Sequence, residues 1–270
     1  MSGHSIPVVV FRSHRGFVVF AGVAAGILQF LIIRAITGVD TGGLLPAVLG
    51  QLPERFRLMV NETLISRMSV EGAAALGFNH PIVMVLLAIC AVSVAARHLS
   101  GGIEDGSLEV VLAHPVGRVR LIVSLWTAGA AMNLAIVACA LAGSLVGTAL
   151  FHTLGWRAAG KLAGLALNLW LVALVMGAAS FLVSAVVTKG ARTGLWTASV
   201  LLSFYVVHFL TPLWDALRVV VPVNVFTYYQ PHKLMLGERD LWENVVVLAV
   251  ATGACLCVAA VRFARRDIPG

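Results

Sequence analysis

One short stretch of the sequence has glycines and a lysine at a spacing that can bind phosphate. Gly155, Gly160 and Lys161 match the first part of the GxxxxGK[ST] loop, in which backbone N–H groups and the lysine hold nucleotide phosphates. The next residue, Leu162, has no hydroxyl group to bind magnesium, and the stretch lies between two long apolar runs instead of between a strand and a helix. We therefore expect that this chain does not bind ATP.

Residues that could act as nucleophiles or metal ligands are dispersed along the chain. The sequence contains no HExxH, GxSxG or DxDxDG pattern, and its eight histidines are scattered. All four cysteines fall inside long apolar runs, which disfavours a disulfide framework or a zinc site; they are Cys90, Cys139, Cys255 and Cys257. We predict that the chain has no catalytic residue, no metal site and no bound cofactor, and that it is not an enzyme.

The elements that would position any functional residue are membrane helices. The chain has 270 residues, of which 60% are hydrophobic and only 11% are charged, whereas soluble domains have about 45–50% and about 25%. Each of six uncharged runs reaches the ~18 residues expected of a transmembrane helix. They are residues 16–33, 72–96, 121–156, 162–188, 193–214 and 244–261. We predict an all-α integral membrane protein with six transmembrane helices, forming one membrane domain over residues 1–270.

The predicted spans contain almost no ionisable groups. Asn133, Asn168 and His208 are their notable polar residues, and interhelical hydrogen bonds explain such residues more often than substrate contacts do. Secondary transporters and proton pumps usually carry buried carboxylates or cations along their path. A secondary transporter driven by an ion gradient is therefore disfavoured.

The distribution of basic residues predicts the orientation of the chain. With six spans both termini lie on one side, together with residues 97–120 and 189–192. The two termini and these segments hold ten of the 19 Lys and Arg residues, although the segments on the other side are longer. This density places the termini and residues 101–120 in the cytoplasm. The net charge of +7 reflects cations that flank a membrane, so we expect no nucleic-acid partner.

Three segments outside the spans have patterns of their own. Apolar residues recur at helical spacing between Arg55 and Met68, which predicts an amphipathic helix on the outer membrane surface. Residues 213–243 mix apolar turns with prolines and tyrosines, and we predict a re-entrant or interfacial hairpin there. Residues 5–15 are expected to form a short N-terminal connecting helix on the inner surface.

Residues 101–120 form a polar insert between the second and third spans. Gly101 and Gly102 are expected to end the second span and to turn the chain. Glu104 and Asp105 suit the positive N-terminal end of a following helix. Its expected length is two to three turns, and we expect it to lie under the membrane.

The helix in this insert has an apolar face. Leu108 and Leu112 lie on that face, and Glu109 lies off it. Pro115 ends the helix, and Arg118 lies at the start of the third span. On these features alone the insert could equally be a simple interfacial linker.

The insert resembles the signature of ABC-2 type transporter permeases. In that family an acidic-Gly-Thr-Leu-Glu…Leu…Pro…Arg segment after the second span forms the coupling helix that meets the ATPase. The matching residues here are Glu104, Asp105, Gly106, Ser107, Leu108, Glu109, Leu112, Pro115 and Arg118. The sequence departs from the pattern in having Ser107 where threonine is commoner. The likeness extends to the six spans, the outer hairpin and the basic C-terminal tail.

The resemblance implies a permease subunit in the cytoplasmic (inner) membrane that works with separate subunits. Two ABC ATPase subunits would bind ATP and Mg, and a second copy of the permease, identical or different, would complete the pathway in the lipid bilayer. In such a pair the second and fifth spans would face the central cavity. The candidate substrate-pathway residues are then Phe204, Val207 and His208.

Three functions are compatible with these residues. The first is export of an amphipathic, lipid-like, drug or peptide substrate. The second is a mechanical or assembly role, in which the permease transmits ATPase motion to an extracytoplasmic partner; the sizeable segment from Arg34 to His80 makes this conceivable. The third is a polytopic membrane enzyme, which the missing catalytic constellation disfavours.

Overall fold

The computed structural model describes residues 5–37, 70–151 and 156–266, and all regular secondary structure within them is helical. A π-helical turn (Ala96–Ser100) and two 3₁₀ helices (Asp215–Val223 and Val225–Tyr228) interrupt the α-helices. The α-helices are α1 (Ser5–Thr37), α2 (Val70–Phe78), α3 (Pro81–Ala95), α4 (Gly101–Glu104), α5 (Ser107–Leu112), α6 (Arg118–Leu150), α7 (Trp156–Ser184), α8 (Gly190–Leu210), α9 (Pro231–Leu236) and α10 (Leu241–Ala264).

Six helical segments among the described residues are long and apolar enough to cross a membrane. The shortest has 21 residues, which at 1.5 Å per residue covers about the 30 Å of a bilayer core. The segments are Ile6–Ala35, Ala74–Glu104, Arg118–Leu150, Ala159–Ser184, Gly190–Leu210 and Leu241–Ala264. The prediction of an all-α membrane protein with six spans is confirmed.

Contacts between chain segments define the two ends of the helix bundle. The N-terminal part of α1, the insert around Gly106, the start of α8 and the C-terminal ends of α7 and α10 lie together, and we call this the Gly106 end. The C-terminal end of α2, the start of α7, the C-terminal part of α8 and the segment around Asn224 meet at the other end, the Asn224 end.

The six spans are packed to very different degrees. In the most apolar stretch of α7, 72% of the residues are buried, because α7 contacts α3, α6, α8 and α10. In the corresponding stretch of α8, only 17% of the residues are buried. The core therefore surrounds α7, while α8 presents apolar side chains outward. Such side chains suit lipid or a partner helix.

The N-terminal segment is helical as predicted, but it is not a separate helix. Residues 5–15 form the first turns of α1, which runs without a break to Thr37. The exposed Val8, Val9 and Phe11 extend the apolar surface of the span. Since nothing in this stretch breaks the backbone hydrogen bonds, the chain enters the first span directly.

The two segments that are predicted to lie on the outer side have different outcomes. The predicted amphipathic helix at residues 55–68 lies outside the described residues. Residues 213–243 contain the two 3₁₀ helices, α9 and the start of α10. Asn224 holds this segment to the bundle, and Tyr229 donates a hydrogen bond to the Phe78 carbonyl at 2.8 Å. That the segment re-enters the membrane stays a prediction.

The lysine of the phosphate-loop-like stretch has a structural contact. α7 begins at Trp156, so Gly160 and Lys161 are helical. Lys161 donates a hydrogen bond from Nζ to the Met235 carbonyl at 2.8 Å, which ties α7 to α9.

Candidate functional site

The turn that starts the insert lies later in the chain than the sequence predicts. Gly101 and Gly102 remain helical, because the π turn and α4 continue the second span to Glu104. The chain turns at Gly106, whose φ of 74° lies in the left-handed region that favours glycine. The reason is that Asp105 accepts a hydrogen bond from the Ser107 backbone N–H at 2.9 Å, which closes the turn before α5.

Asp105 is exposed, and its charge is stabilised locally. Hydrogen bonds from Ser107, first from its side chain and then from its backbone, hold the pKa of the Asp105 carboxyl below its usual value. The carboxylate therefore stays ionised at neutral pH, beside the positive end of α5. Asp105 is not the N-cap as predicted, because Gly106 occupies that position, but its carboxylate satisfies the first N–H of α5.

Helix α5 is shorter than expected, and its apolar face points toward the chain itself. It has six residues, fewer than the predicted two to three turns. Leu108 is only 2% exposed and belongs to the core, and Leu112 is half-buried against that core. The resemblance to a coupling helix implies that Leu108 and Leu112 supply contact area for an ATPase. Leu108 is covered by the chain itself here, and its contact with an ATPase stays a prediction.

The opposite face of α5 is open. Glu109 and Val110 are exposed, with Val110 66% accessible. Ala113, His114 and Pro115 continue this exposed surface beyond the helix end. We call the five residues Glu109, Val110, Ala113, His114 and Pro115 the outward face of the insert. It offers a partner one carboxylate and a small apolar area.

Glu104 connects the insert to the fifth span. Its Oε2 atom accepts a hydrogen bond from the Gly190 backbone N–H, the first of α8, at 2.9 Å. One turn earlier, Ser100 donates to the Val187 carbonyl at 3.0 Å, and its hydroxyl lies 2.7 Å from that of Thr193. Side chains at the end of the second span therefore hold the start of α8.

Two arginines hold the C-terminal ends of other spans at the same end of the bundle. Arg118 donates hydrogen bonds to the carbonyls of Phe263, Ala264 and Arg266. Arg266 in turn donates to the carbonyls of Ser184, Ala185 and Val187 at 3.2–3.4 Å. Cations at helix C-termini satisfy free carbonyl groups and complement the helix dipole. The Gly106 end is therefore one hydrogen-bonded unit.

A cavity of about 280 Å³ lies between the N-terminal part of α1 and the insert. Arg97, His98, Asp105 and Ser107 give it polar groups, and apolar residues of α1, α5 and α6 complete its lining. The Ser13 hydroxyl lies 3.5 Å from His98 Nε2, which brings α1 to the second span here. No group of three or more potential metal ligands occurs in the part of the chain that the structure describes.

Comparison with known proteins identifies the family. The sequence model described as ABC-2 family transporter protein matches residues 17–268, which is nearly the whole chain. The chain belongs to this family. Like other members, it is a multi-pass membrane transport subunit, and the family implies association with an ABC ATPase. A search of the curated proteins finds no match.

The candidate pathway residues of this ABC-2 permease lie together on α8. Phe204, Val207 and His208 are each half-buried. The Phe204 carbonyl accepts a hydrogen bond from Asn224 Nδ2 at 2.7 Å, so the segment around Asn224 is joined to the backbone of α8 at this point. Their position near the Asn224 end is established, and a role in substrate contact stays a prediction.

The polar residues inside the other spans differ in their contacts. Asn168 Nδ2 donates to the Tyr228 carbonyl at 3.2 Å, which agrees with the predicted structural role. Asn133 is buried on α6, and its Oδ1 has no hydrogen-bond partner among the described residues. Its role as an interhelical hydrogen bond therefore stays a prediction.

Sequence reasoning missed four residues of the Gly106 end. Ser100, Thr193 and Gly190 carry no motif, and Arg266 was predicted only as a membrane-flanking cation of the basic C-terminal tail, with no partner. Their partners are backbone groups, a hydroxyl or, for Gly190, the Glu104 carboxylate, and they lie up to 93 positions away in the sequence. The only signal was the pairing of polar residues with the ends of uncharged runs, which gives a position but no partner.

Proposed function

We propose that this permease is the membrane subunit of an ATP-driven exporter, and that two ATPase subunits dock on the outward face of the insert. The observation that supports this is the geometry of α5: one face is sealed into the bundle, and the other is open at the same end. A partner that pushes on Glu109 and Val110 would act directly on an element that Glu104 joins to α8. A simple linker would need no such connection.

The proposed orientation places the Gly106 end in the cytoplasm and the Asn224 end outside the inner membrane. The density of basic residues supports it, since Arg118, Arg120, Lys189, Arg265 and Arg266 all lie at or near the Gly106 end. ATP and Mg would then bind to the partner subunits on the cytoplasmic side.

A second permease copy would complete the transport pathway, and residues 1–270 would act as one membrane domain. The low burial of α8 supports this, because a span so poorly covered by its own chain has apolar surface left for another helix or for substrate. An amphipathic or lipid-like substrate suits a path lined by Phe204, Val207 and His208. ATP-driven closure of the ATPase pair would alternate the spans between inward- and outward-open states.

If the ATPase docks on the outward face of the insert, a mutation at Val110 should weaken its binding. Val110→Asp places a second carboxylate beside Glu109 and removes the largest apolar group on this face. We expect the fraction of ATPase that copurifies with the permease to fall by about tenfold or more, because losing a contact anchor typically costs ~1–3 kcal/mol. ATP turnover of the purified complex should fall with it.

Val186→Asp is the matched control for this experiment. Val186 is 68% exposed at the Gly106 end, but it lies outside the insert. We expect nearly normal docking for this variant. Normal docking of Val110→Asp, with the protein folded and inserted, would contradict the proposed role of α5.

The pathway proposal has a separate test. Phe204→Ala and His208→Ala should reduce the stimulation of ATP turnover by amphipathic compounds while leaving basal turnover in place. Val206→Ala changes an exposed neighbour on the same helix and serves as the control. If stimulation is unchanged in both variants, these residues do not contact substrate.

A further inference from the structure

Helix α8 depends on contacts at its two ends. Only 17% of the residues in its most apolar stretch are buried, whereas the share in α7 is 72%. Leu195, Trp196 and Leu202 are each about 60% exposed or more, so side-chain packing along its length holds it weakly. The groups that fix its position are therefore at the Gly106 end and at the attachment to Asn224.

The start of α8 is capped by a residue from another element. Lys189 occupies the N-cap position, and its side chain makes no capping hydrogen bond. The carboxylate of Glu104 takes this place by accepting the Gly190 N–H at 2.9 Å. A carboxylate at a helix N-terminus satisfies a free donor and complements the positive end of the dipole. Glu104 is also only two residues before the turn at Gly106.

Backbones approach closely beside this cap. A Cβ atom on Gly190 would lie 2.7 Å from the Ala96 carbonyl oxygen, so only glycine allows α8 to start so near the π turn. Ser100 and Thr193 are fully buried, and their hydroxyls are 2.7 Å apart. Irregular π turns often occur at functional positions, since they break the regular hydrogen-bond ladder. The contact between Ser100 and Thr193 is therefore small, buried and polar.

The second attachment lies near the other end of the helix. Asn224 Nδ2 donates to the Phe204 carbonyl at 2.7 Å, and Asn224 Oδ1 accepts from the Phe226 N–H at 3.0 Å. Asn224 is itself buried. Helix α8 is thus held at two polar points, with few lateral contacts between them.

We propose that Glu104, together with the Ser100–Thr193 pair, forms a pivot that transfers displacement of the insert to α8. Glu104 is then a positioning residue inside the permease and not a contact of the ATPase. This inference rests on the proposed function, in which the ATPase moves α5. It predicts that loss of Glu104 separates two events that are otherwise coupled: docking of the ATPase and movement of the fifth span.

The first experiment uses the permease alone and needs no ATPase. Hydrogen exchange at the start of α8 should become about tenfold faster in Glu104→Ala, as expected when one charge-assisted hydrogen bond is lost. Glu104→Gln keeps an acceptor oxygen and should restore most of the protection. Glu109→Ala, on the outward face, should have no effect on these amides. Unchanged exchange in Glu104→Ala would overturn the pivot.

The second experiment uses the complex of permease and ATPase. Spin labels at Val19→Cys on α1 and Leu195→Cys on α8 report the distance between the two helices, since both positions are exposed. Trapping the ATPase in its nucleotide-bound state should shift this distance in the otherwise unaltered permease. Glu104→Ala should retain docking and lose the shift, and Glu104→Gln should recover it. Loss of docking in Glu104→Ala, or an unchanged shift, would overturn the proposal.

A third variant tests the pivot in the opposite direction. Ser100→Cys with Thr193→Cys, in a chain without its native cysteines, places two thiols where the hydroxyls are 2.7 Å apart. Oxidation should fix α8 to the second span and abolish the distance shift, and reduction should restore it. A shift that persists after complete oxidation would contradict the pivot. If the ATPase fails to dock on the unaltered permease, the proposed function fails, while the exchange experiment still decides the role of Glu104.

Discussion

Gly106 shows how one backbone angle shapes the insert. Its φ of 74° directs the chain from the second span into α5, and Asp105 stabilises the turn from the side. An L-residue in this conformation carries a cost of about 1–2 kcal/mol, because its Cβ crowds the following carbonyl. The position and direction of α5 therefore depend on this glycine.

Gly106→Ala should destabilise the insert and reduce ATPase docking. The methyl group meets no other atom within 4 Å, so strain of about 1–2 kcal/mol is the expected cause. Gly117→Ala is the control, since Gly117 also has open space but has a φ of −64° that any residue adopts. Thermal stability of the purified permease and the docked fraction measure the effect. Equal behaviour of the two variants would contradict it.

Removing the Tyr229 hydroxyl should likewise destabilise the protein at the Asn224 end. It is 3% exposed, and its hydroxyl donates to the Phe78 carbonyl at 2.8 Å. Burial raises the pKa of Tyr229 well above its usual value, so the hydroxyl stays protonated and remains a donor. Tyr229→Phe leaves the Phe78 carbonyl without this donor and should lower stability by about 1–3 kcal/mol.

Tyr228→Phe is the natural comparison for this variant. The Tyr228 hydroxyl donates to the Pro222 carbonyl at 3.1 Å in an exposed position, where water can replace it. Its removal should change the unfolding temperature little. A larger loss for Tyr228→Phe than for Tyr229→Phe would contradict the assigned contacts.

At the scale of helices, the ends of spans are held by charged side chains from neighbouring elements. Arg266→Ala removes one donor from each of three carbonyls at the end of α7, one of which keeps its bond from Ser100, and should destabilise the permease by about 1–2 kcal/mol. Arg262→Ala removes an exposed cation near the C-terminal end of α10 and should be nearly neutral. Melting of the purified proteins in detergent tests this. Equal stability of the two variants would show that the Arg266 contacts contribute nothing.

The sequence predicted the spans well because charge is excluded from a bilayer core. Six uncharged runs corresponded to six helices, although α1 began at Ser5, ahead of the first run. The periodicity around Leu108 correctly indicated an apolar face, but it did not indicate that the chain itself covers this face. Periodicity tells which residues share a face and not what covers it. The residues that cover this face belong to the ends of other spans. The partner of Glu104, Gly190, likewise lies far away in the sequence.

At the scale of the whole molecule, the described helices form a bundle with two unlike ends joined by a lightly packed span. The Gly106 end is a network of caps in which Glu104, Arg118 and Arg266 link the insert to α7, α8 and α10. At the Asn224 end, Asn224 holds its own segment to α8. In the proposed mechanism, a push at the Gly106 end reaches the Asn224 end through α8, the span with the smallest buried share.

Crosslinking from the two ends of the bundle tests the central claim most directly. A photoactivatable label is attached to Val110→Cys or to Val219→Cys, each in a chain without native cysteines; Val219 is 83% exposed at the Asn224 end. In membranes that contain the complex, we expect position 110 to crosslink to the ATPase and position 219 not to. An impermeant thiol reagent added to intact cells should label only position 219. Crosslinking of the ATPase through position 219, or labelling of position 110 from outside, would contradict the account.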